Sequence, residues 1–171
     1  DRIMILNGEF NDAMSHSIIS QLLYLDSEDS SKPIQMYIQS PGGSVTSGMA
    51  ILDTMKVIKA PVHTIVVGLA ASMGAFIASM GDHRSALPSA EIMIHQPLGG
   101  AQGQASDIVI SANRIVKMRE ILAEKMAAKC GKTTKTLLKD MDRDKWFFAE
   151  EAKEYGLIDE VIPYTKKDLN L

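Results

Sequence analysis

The sequence has 171 residues, 46% of them hydrophobic and 23% charged, as expected for one globular domain. This composition excludes intrinsic disorder and collagen-like repeats. With 18 Lys and Arg against 21 Asp and Glu, the formal net charge is −3, and a chain without a long basic run is a poor nucleic-acid binder. The single cysteine, Cys130, excludes an internal disulfide and fits a reducing compartment.

Short β-branched runs alternate with helical segments along the chain. Predicted strands cover Arg2–Leu6, Ile34–Gln39, Val62–Val67, Glu91–Ile94 and Ile158–Pro163. Predicted helices cover Asp12–Leu25, Thr46–Lys59, Ala70–Met80, Ala105–Lys129, Thr133–Met141 and Ala149–Tyr155. The repeated strand–helix units predict an α/β fold, in which helices cover a mainly parallel sheet, and a single domain over residues 1–171.

Two segments allow alternative interpretations. Ala60–Gly81 has no Asp, Glu, Lys or Arg over about the ~20 residues of a membrane span. Its proline, histidine, glycines and serines favour instead a buried strand followed by a buried helix. The long helix Ala105–Lys129 has one apolar stripe. From its pattern, it either packs on its own domain or projects and favours self-association.

Ser72 is the first candidate for chemistry, because it lies where a predicted strand meets a predicted helix. At that junction a side chain and the following backbone N–H groups can stabilise developing negative charge. The small neighbours Ala71 and Gly74 would allow a substrate backbone to approach. The alternative is a helix N-cap serine among small packing residues.

His95 is the second candidate, since it ends an apolar strand and precedes Pro97 and a glycine-rich turn. Parallel sheets commonly bind ligands beyond the carboxyl ends of their strands, and an imidazole suits a general base. The alternative is a histidine that is merely hydrogen-bonded at a strand end. The other histidines lack this context and are expected on the surface or in loops: His16, His63 and His83.

A histidine base needs a carboxylate to orient it, and Asp140, Asp142 and Asp144 all lie in one short run. Sequence physics does not choose among them, and each also suits a solvated or capping position. The turn Ser40–Ser44 contains two glycines after a strand, which fits either an oxyanion-binding nest or an ordinary tight turn. No cluster of His, Cys, Asp and Glu has metal-ligand spacing, so no metal site is predicted.

Five segments, in this order, resemble the proteolytic subunits of Clp proteases (ClpP). They are Ser40–Ser44 (SPGGS), Ala70–Phe76 (AASMGAF), Met93–Gln104 (MIHQPLGGAQGQ), Asp142–Asp144 (DRD) and Glu151–Asp159 (EAKEYGLID). The resemblance therefore spans essentially the whole chain. It implies a crotonase-like α/β fold with a protruding strand–helix handle, here about Gln96–Lys129.

The resemblance also implies roles for individual residues. Ser72 would be the nucleophile of a serine endopeptidase, His95 its general base, and Asp144, rather than the two preceding aspartates, the orienting carboxylate. The N–H groups of Gly43 and Met73 would form the oxyanion hole. The implied activity is cleavage of unfolded polypeptides to short peptides.

In the family, handles interlock two stacked heptameric rings into a closed chamber, and hexameric AAA+ unfoldases (ClpX-, ClpA- or ClpC-like) feed it with unfolded chains. The resemblance thus implies a homo-oligomer, an unfoldase partner, and neither nucleic acid nor membrane. No cofactor is expected in this chain, because the partner uses the ATP and the sequence lacks a phosphate-binding loop. The implied compartment is the bacterial cytoplasm, or a mitochondrial matrix or plastid.

The sequence departs from the family pattern in three places. Leu69 replaces a common Gln and is expected to alter packing behind the nucleophile, and the Gly81–Pro88 loop is slightly shorter than usual. The sequence begins near the first core strand, so we expect it to lack the family's pore-lining N-terminal segment. Two other functions are weighed against the peptidase: a non-catalytic ring subunit and a crotonase-type acyl-CoA enzyme.

Overall fold

Seven strands and six helices make up the computed structural model, which describes residues 1–166. The strands are Ile3–Asn7 (β1), Ile34–Ser40 (β2), Val62–Ala71 (β3), His83–Ala86 (β4), Glu91–Ile94 (β5), Lys145–Phe148 (β6) and Glu160–Val161 (β7). The helices are Asp12–Glu28 (α1), Val45–Val57 (α2), Met73–Ser79 (α3), Ala105–Cys130 (α4), Thr134–Asp140 (α5) and Ala149–Tyr155 (α6). The last five residues of the predicted domain lie outside the described residues.

All seven strands belong to one sheet, in which β1, β2, β3, β4 and β7 are neighbours in that order. Each of these pairs is parallel. β5 adds to β3 in parallel, and β6 pairs with β5 in the antiparallel sense. The predicted α/β fold with a mainly parallel sheet is therefore confirmed.

The strand β3 changes its neighbour halfway along its length. Residues 63–66 pair with β4, whereas residues 69–71 pair with β5. Between them the register with β2 shifts, because two residues of β2 span four of β3. Gly68 lies in this irregularity with φ +69, a backbone conformation that glycine adopts without steric cost. The shift lets the end of β3 align with β5.

The core lies between the sheet and the helices. Alternate residues of β1 are buried, among them Leu6, as the two-residue period of a strand requires. Ile18 and Leu22 of α1 pack in the same cluster. The Asn11 side chain starts α1 by accepting a hydrogen bond from the Met14 N–H at 2.9 Å. The buried residues of β1 and α1 thus hold this helix against the sheet that contains β3 and β5.

Several predicted elements differ from those observed. The helix predicted from Ala70 begins only at Met73, because Ala70 and Ala71 are held in β3 by pairing with β5. The segment Gly81–Pro88, interpreted as a loop, contains strand β4, and β6 was not predicted at all. Ala60–Gly81 is a buried strand followed by a buried helix, as predicted. Within the described residues, no helix has the length and hydropathy to cross a membrane.

The two halves of α4 differ in their packing: the second half packs on its own domain, whereas the first half is exposed. Leu122, Met126 and Cys130 of its second half are buried, whereas Val109 and Ile110 of its first half are exposed. Residues 95–104, which precede the helix, form no strand within this chain. The helical part of the expected handle is therefore present, while its strand part has no partner strand among the described residues.

Arg84 of β4 joins residues 156–159, which precede β7, to the sheet. Its side chain is 10% exposed, and its guanidinium donates to both carboxylate oxygens of Asp159 and to the Gly156 carbonyl at 2.8 Å. The hydrogen bonds from Arg84 hold the pKa of Asp159 below its ordinary value of 3.8, although partial burial acts in the opposite direction. Because the folded-state pKa is lowered, this stabilisation exists above pH 3.8 and is lost as the pH falls through the lowered value.

Asp159→Asn removes the charged partner of Arg84. We expect it to lower the free energy of unfolding at neutral pH by about 1 kcal/mol, a modest value because the carboxylate is partly exposed to screening solvent. The variant should also lose less stability than the parent on acidification below pH 3.8. Urea denaturation at matched concentration measures both effects, with the exposed Glu154→Gln as a control of equal charge change. Equal losses in the two variants would contradict the prediction.

Candidate active site

Ser72 follows β3 directly in a strained backbone conformation. Its φ of 56° and ψ of −120° make it the one non-glycine residue with positive φ among those described. Its N–H donates to the Met93 carbonyl of β5 at 2.9 Å, and its carbonyl accepts from the Phe76 N–H at 3.0 Å. Such strain costs about 1–3 kcal/mol and persists where the surroundings enforce it.

Ser72 occupies the N-cap position of α3, but its side chain makes no capping hydrogen bond. The hydroxyl therefore remains available for another partner.

That partner is His95, the residue after β5. The Ser72 Oγ lies 2.8 Å from His95 Nε2, and His95 Nδ1 lies 3.0 Å from Asp144 Oδ1. An ionised carboxylate only accepts hydrogen bonds, so Nδ1 carries the proton and donates to Asp144. Nε2 is then the acceptor for the Ser72 hydroxyl. The three side chains thus form a continuous hydrogen-bonded chain.

Pairing of β5 with β6 brings Asp144 to His95. Ile94 pairs with Lys145 in the antiparallel ladder, so the residue after β5 faces the residue before β6. Sequence analysis missed β6, although its Trp-Phe-Phe run has high strand propensity. Of the three aspartates, Asp144 is the one in contact with His95, through a strand pairing between residues distant in sequence.

The other two aspartates lie elsewhere. Asp140 accepts from Lys145 Nζ at 2.9 Å and from the Tyr155 hydroxyl at 2.6 Å. Partial burial alone would raise the pKa of Asp140, but these two hydrogen bonds outweigh it and lower the pKa. Asp142 is exposed, 4.0 Å from Arg143. Neither carboxylate is bonded to His95.

The glycine turn Ser40–Ser44 packs directly against Ser72. A Cβ on Gly42 would lie 2.7 Å from the Ser72 Cβ and 3.2 Å from its Oγ, and Gly42 has φ +103. The turn is fixed because Ser40 Oγ donates to the Gly8 carbonyl and accepts from the Gly42 N–H. Only glycine therefore fits beside the serine.

The two residues expected to provide N–H donors lie on either side of this contact. Gly43 is exposed with φ +141, and a Cβ there would meet the Phe10 backbone at 2.6 Å. Met73 is the first residue of α3, where N–H groups have no acceptor within the helix. The structure thus brings glycine turn, helix start and serine together at one place.

An open cleft of about 340 Å³ begins at the glycine turn. Its walls are Gly43–Thr46 on one side and Pro97–Gly100 on the other, and α4 supplies Arg114, Ile115 and Met118. A smaller apolar pocket lies beside Ser72 and His95, lined by Phe76, Leu122 and other apolar residues. The cleft and the pocket share Val45 and Pro97 in their walls.

The remaining candidates lie outside the site. His16 is exposed on α1, whereas His63 and His83 are strand residues of β3 and β4, and the His83 side chain is 43% exposed, as the surface alternative predicted. Burial raises the pKa of the Cys130 thiol to about 11, which leaves it protonated and unreactive at neutral pH. Leu69 is half-buried in β3. Over residues 1–166, no three His, Cys, Asp or Glu side chains are grouped to hold a metal ion.

Gly42→Ala tests whether the glycine turn fixes the serine. The added methyl group would displace Ser72 by several tenths of an ångström or more, so we expect labelling by a fluorophosphonate to slow by on the order of 100-fold. Gly131→Ala is the matched control, since Gly131 has φ +64 but nothing within 4 Å of a new Cβ. Labelling rates from intact-mass spectra measure the difference. Equal rates in the two variants would contradict the proposed contact.

Comparison with known proteins matches nearly the whole chain to one protein family. The model of the Clp protease family matches residues 1–165. The chain is also 58% identical over 167 residues to the ATP-dependent Clp protease proteolytic subunit 2 of Prochlorococcus marinus (strain NATL2A). That alignment covers 96% of this chain and 84% of the relative. The chain belongs to the Clp protease family.

Proposed function

We propose that this chain is the peptidase subunit of a Clp protease and that Ser72, His95 and Asp144 are its catalytic triad. The observation that carries the assignment is the hydrogen-bonded chain from Ser72 Oγ through both ring nitrogens of His95 to Asp144 Oδ1. This is the arrangement in which a serine hydroxyl is activated for acyl transfer. Family membership supports the same reaction class and gives no support to an acyl-CoA enzyme.

Acylation begins when Ser72 Oγ attacks the carbonyl carbon of a peptide bond. The hydroxyl proton moves to His95 Nε2 as the new C–O bond forms, and the carbonyl electron pair moves onto oxygen. Asp144 stabilises the imidazolium through Nδ1–H. His95 then gives its proton to the amide nitrogen, the C–N bond breaks, and the amine product leaves an ester on Ser72.

Deacylation repeats these steps with water. His95 takes a proton from water as the water oxygen attacks the ester carbonyl carbon. The proton returns to Ser72 Oγ as the ester C–O bond breaks, and a carboxylic acid product leaves. No external cofactor is required for either step, and we propose that this chain uses none.

The N–H groups of Gly43 and Met73 stabilise the oxyanion in both steps. Their positions beside Ser72, on the glycine turn and at the start of α3, support this role. In comparable sites one such donor contributes about 2.7–4 kcal/mol to transition-state stabilisation. Because both donors belong to the backbone, their contribution depends on chain conformation.

The substrate is an unfolded polypeptide. The cleft beside the site is open and lined by glycine-rich backbone, which suits an extended chain better than a folded surface. Residues 97–103 belong to no strand among the described residues, which leaves this glycine-rich backbone a candidate to pair with such a substrate. Cleavage inside the chain follows from an open cleft that does not select a terminus.

Subunits of this kind act as an assembly of two stacked heptameric rings with an AAA+ unfoldase. Exposed apolar side chains on the first half of α4, including Ile108, Val109 and Ile110, support self-association of the handle. The relative's name includes ATP dependence, whereas this sequence has no phosphate-binding loop, so ATP hydrolysis belongs to the unfoldase. The cyanobacterial relative supports a bacterial cytoplasm or a plastid as the compartment.

Ser72→Ala removes the nucleophile but leaves the fold. We expect it to abolish hydrolysis of a fluorogenic peptide and labelling by a fluorophosphonate, while native mass spectrometry shows the same assembly as the parent protein. The mass measurement shows whether a variant that has lost activity still assembles, and so separates a defect in assembly from a defect in chemistry. Undiminished turnover in the correctly assembled variant would contradict the assignment.

Asp144→Asn tests the orienting carboxylate, with Asp142→Asn as the matched control. Asparagine at position 144 stabilises the wrong histidine tautomer, and in a comparable triad the corresponding change lowers kcat on the order of 10⁴-fold. The Asp142 carboxylate makes no hydrogen bond to His95, so its variant should keep nearly full activity. Steady-state peptide hydrolysis measures both. The reverse ranking would transfer the role to Asp142.

A further inference from the structure

The carboxylate of Asp144 has little to hold it in place. Its side chain is 61% exposed, and His95 is the hydrogen-bond partner that the described residues provide. A long-lived His95–Asp144 contact therefore requires that the backbone carrying Asp144 be fixed by other groups. The register of β5 with β6 fixes one flank, where Ile94 pairs with Lys145.

The other flank is held by Gln96, the residue after His95. Its backbone N–H donates to the Met141 carbonyl at 2.7 Å, and its side-chain Nε2 donates to the Asp142 carbonyl at 3.0 Å. These two acceptors lie three and two residues before Asp144, in a turn that belongs to neither α5 nor β6. Gln96, which follows His95 in the chain, therefore links His95 to the turn before Asp144, whereas the pairing of Ile94 with Lys145 links them on the other flank.

We propose that the Gln96 side chain is a positioning residue that keeps Asp144 in contact with His95. The proposal rests on the triad assigned under Proposed function. Gln96 acts through the turn 141–144, because its side-chain Nε2 donates a hydrogen bond to the Asp142 carbonyl in that turn. Loss of that hydrogen bond lets the turn move, and His95 loses its acceptor for part of the time.

Another anchor of the turn leads to the opposite expectation. Asp140 is bonded to both Lys145 and Tyr155, which ties the start of the turn to β6 and α6. If this anchor alone fixed Asp144, the amide of Gln96 would be dispensable. The Asp140 contacts, however, lie at the ends of the turn, whereas the Gln96 amide reaches Asp142 in its middle.

Gln96→Met tests the proposal, because methionine has nearly the length of glutamine without the amide donor and keeps the backbone N–H bond to Met141. We expect kcat for peptide hydrolysis to fall about three- to tenfold, as for one lost hydrogen bond, with KM within about twofold. Gln21→Met is the matched control. It removes the hydrogen bonds from the Gln21 Nε2 to the Ser17 carbonyl at 3.2 Å and to the Ser17 Oγ at 3.1 Å, on an exposed face of α1. The control should keep full activity.

A double-mutant cycle with Asp144→Asn separates positioning from a general structural effect. If Gln96 acts through Asp144, adding Gln96→Met to Asp144→Asn costs no further activity. An equal loss in both backgrounds, or no loss in either, would overturn the proposal. Gln96→Ala repeats the test with less bulk, and failure of both variants to assemble would also overturn it by showing a structural role.

Failure of the proposed function is recognised separately in the same experiment. If the parent protein hydrolyses no peptide, or if Asp144→Asn is as active as the parent, the triad itself is refuted. If the parent is active and Asp144→Asn is impaired, but Gln96→Met behaves like Gln21→Met, only the positioning role is refuted.

Discussion

The change of partner along β3 is the constraint on which the site depends. Pairing with β5 over the last three residues of β3 holds the Ser72 N–H on the Met93 carbonyl and aligns the serine with His95. The irregularity at Gly68 makes this alignment possible, since a regular β3 would continue along β4. Backbone hydrogen bonds of the sheet thus enforce the strained conformation of Ser72. The stability of the fold as a whole offsets the free-energy cost of that strain.

Small residues around Ser72 also help to hold the serine in position. The backbone of the glycine turn fills the space beside Ser72, so no side chain lies between the proposed nucleophile and the turn that carries a proposed N–H donor. His95 is largely buried, at 15% side-chain exposure, whereas Asp144 is mostly exposed and relies on its backbone for position. The two ends of the hydrogen-bonded chain are therefore held differently: Ser72 by backbone hydrogen bonds to β5 and α3, and Asp144 by the anchors of a surface turn.

Periodicity in the sequence predicted most of the fold but little of the site. Glu91–Ile94 and Ala149–Tyr155 have the predicted bounds, because local pattern and tertiary packing agree there. Ala70 and Ala71 were assigned to a helix, and only pairing with β5 explains why they form a strand. The choice of Asp144 among three aspartates rests on a ladder between residues about fifty positions apart, which no local pattern contains. It was the resemblance to a family, and not residue physics, that indicated this aspartate.

The central claim is that Ser72 carries an acyl group during peptide hydrolysis. A peptide p-nitrophenyl ester, mixed with the protein and quenched in acid within the first turnover, allows the intermediate to be located by peptide mapping and tandem mass spectrometry. The account predicts an ester of the peptide acyl group on Ser72, absent after longer incubation as water releases it. Hydrolysis without any acyl group on Ser72, or with the group on another residue, would contradict it.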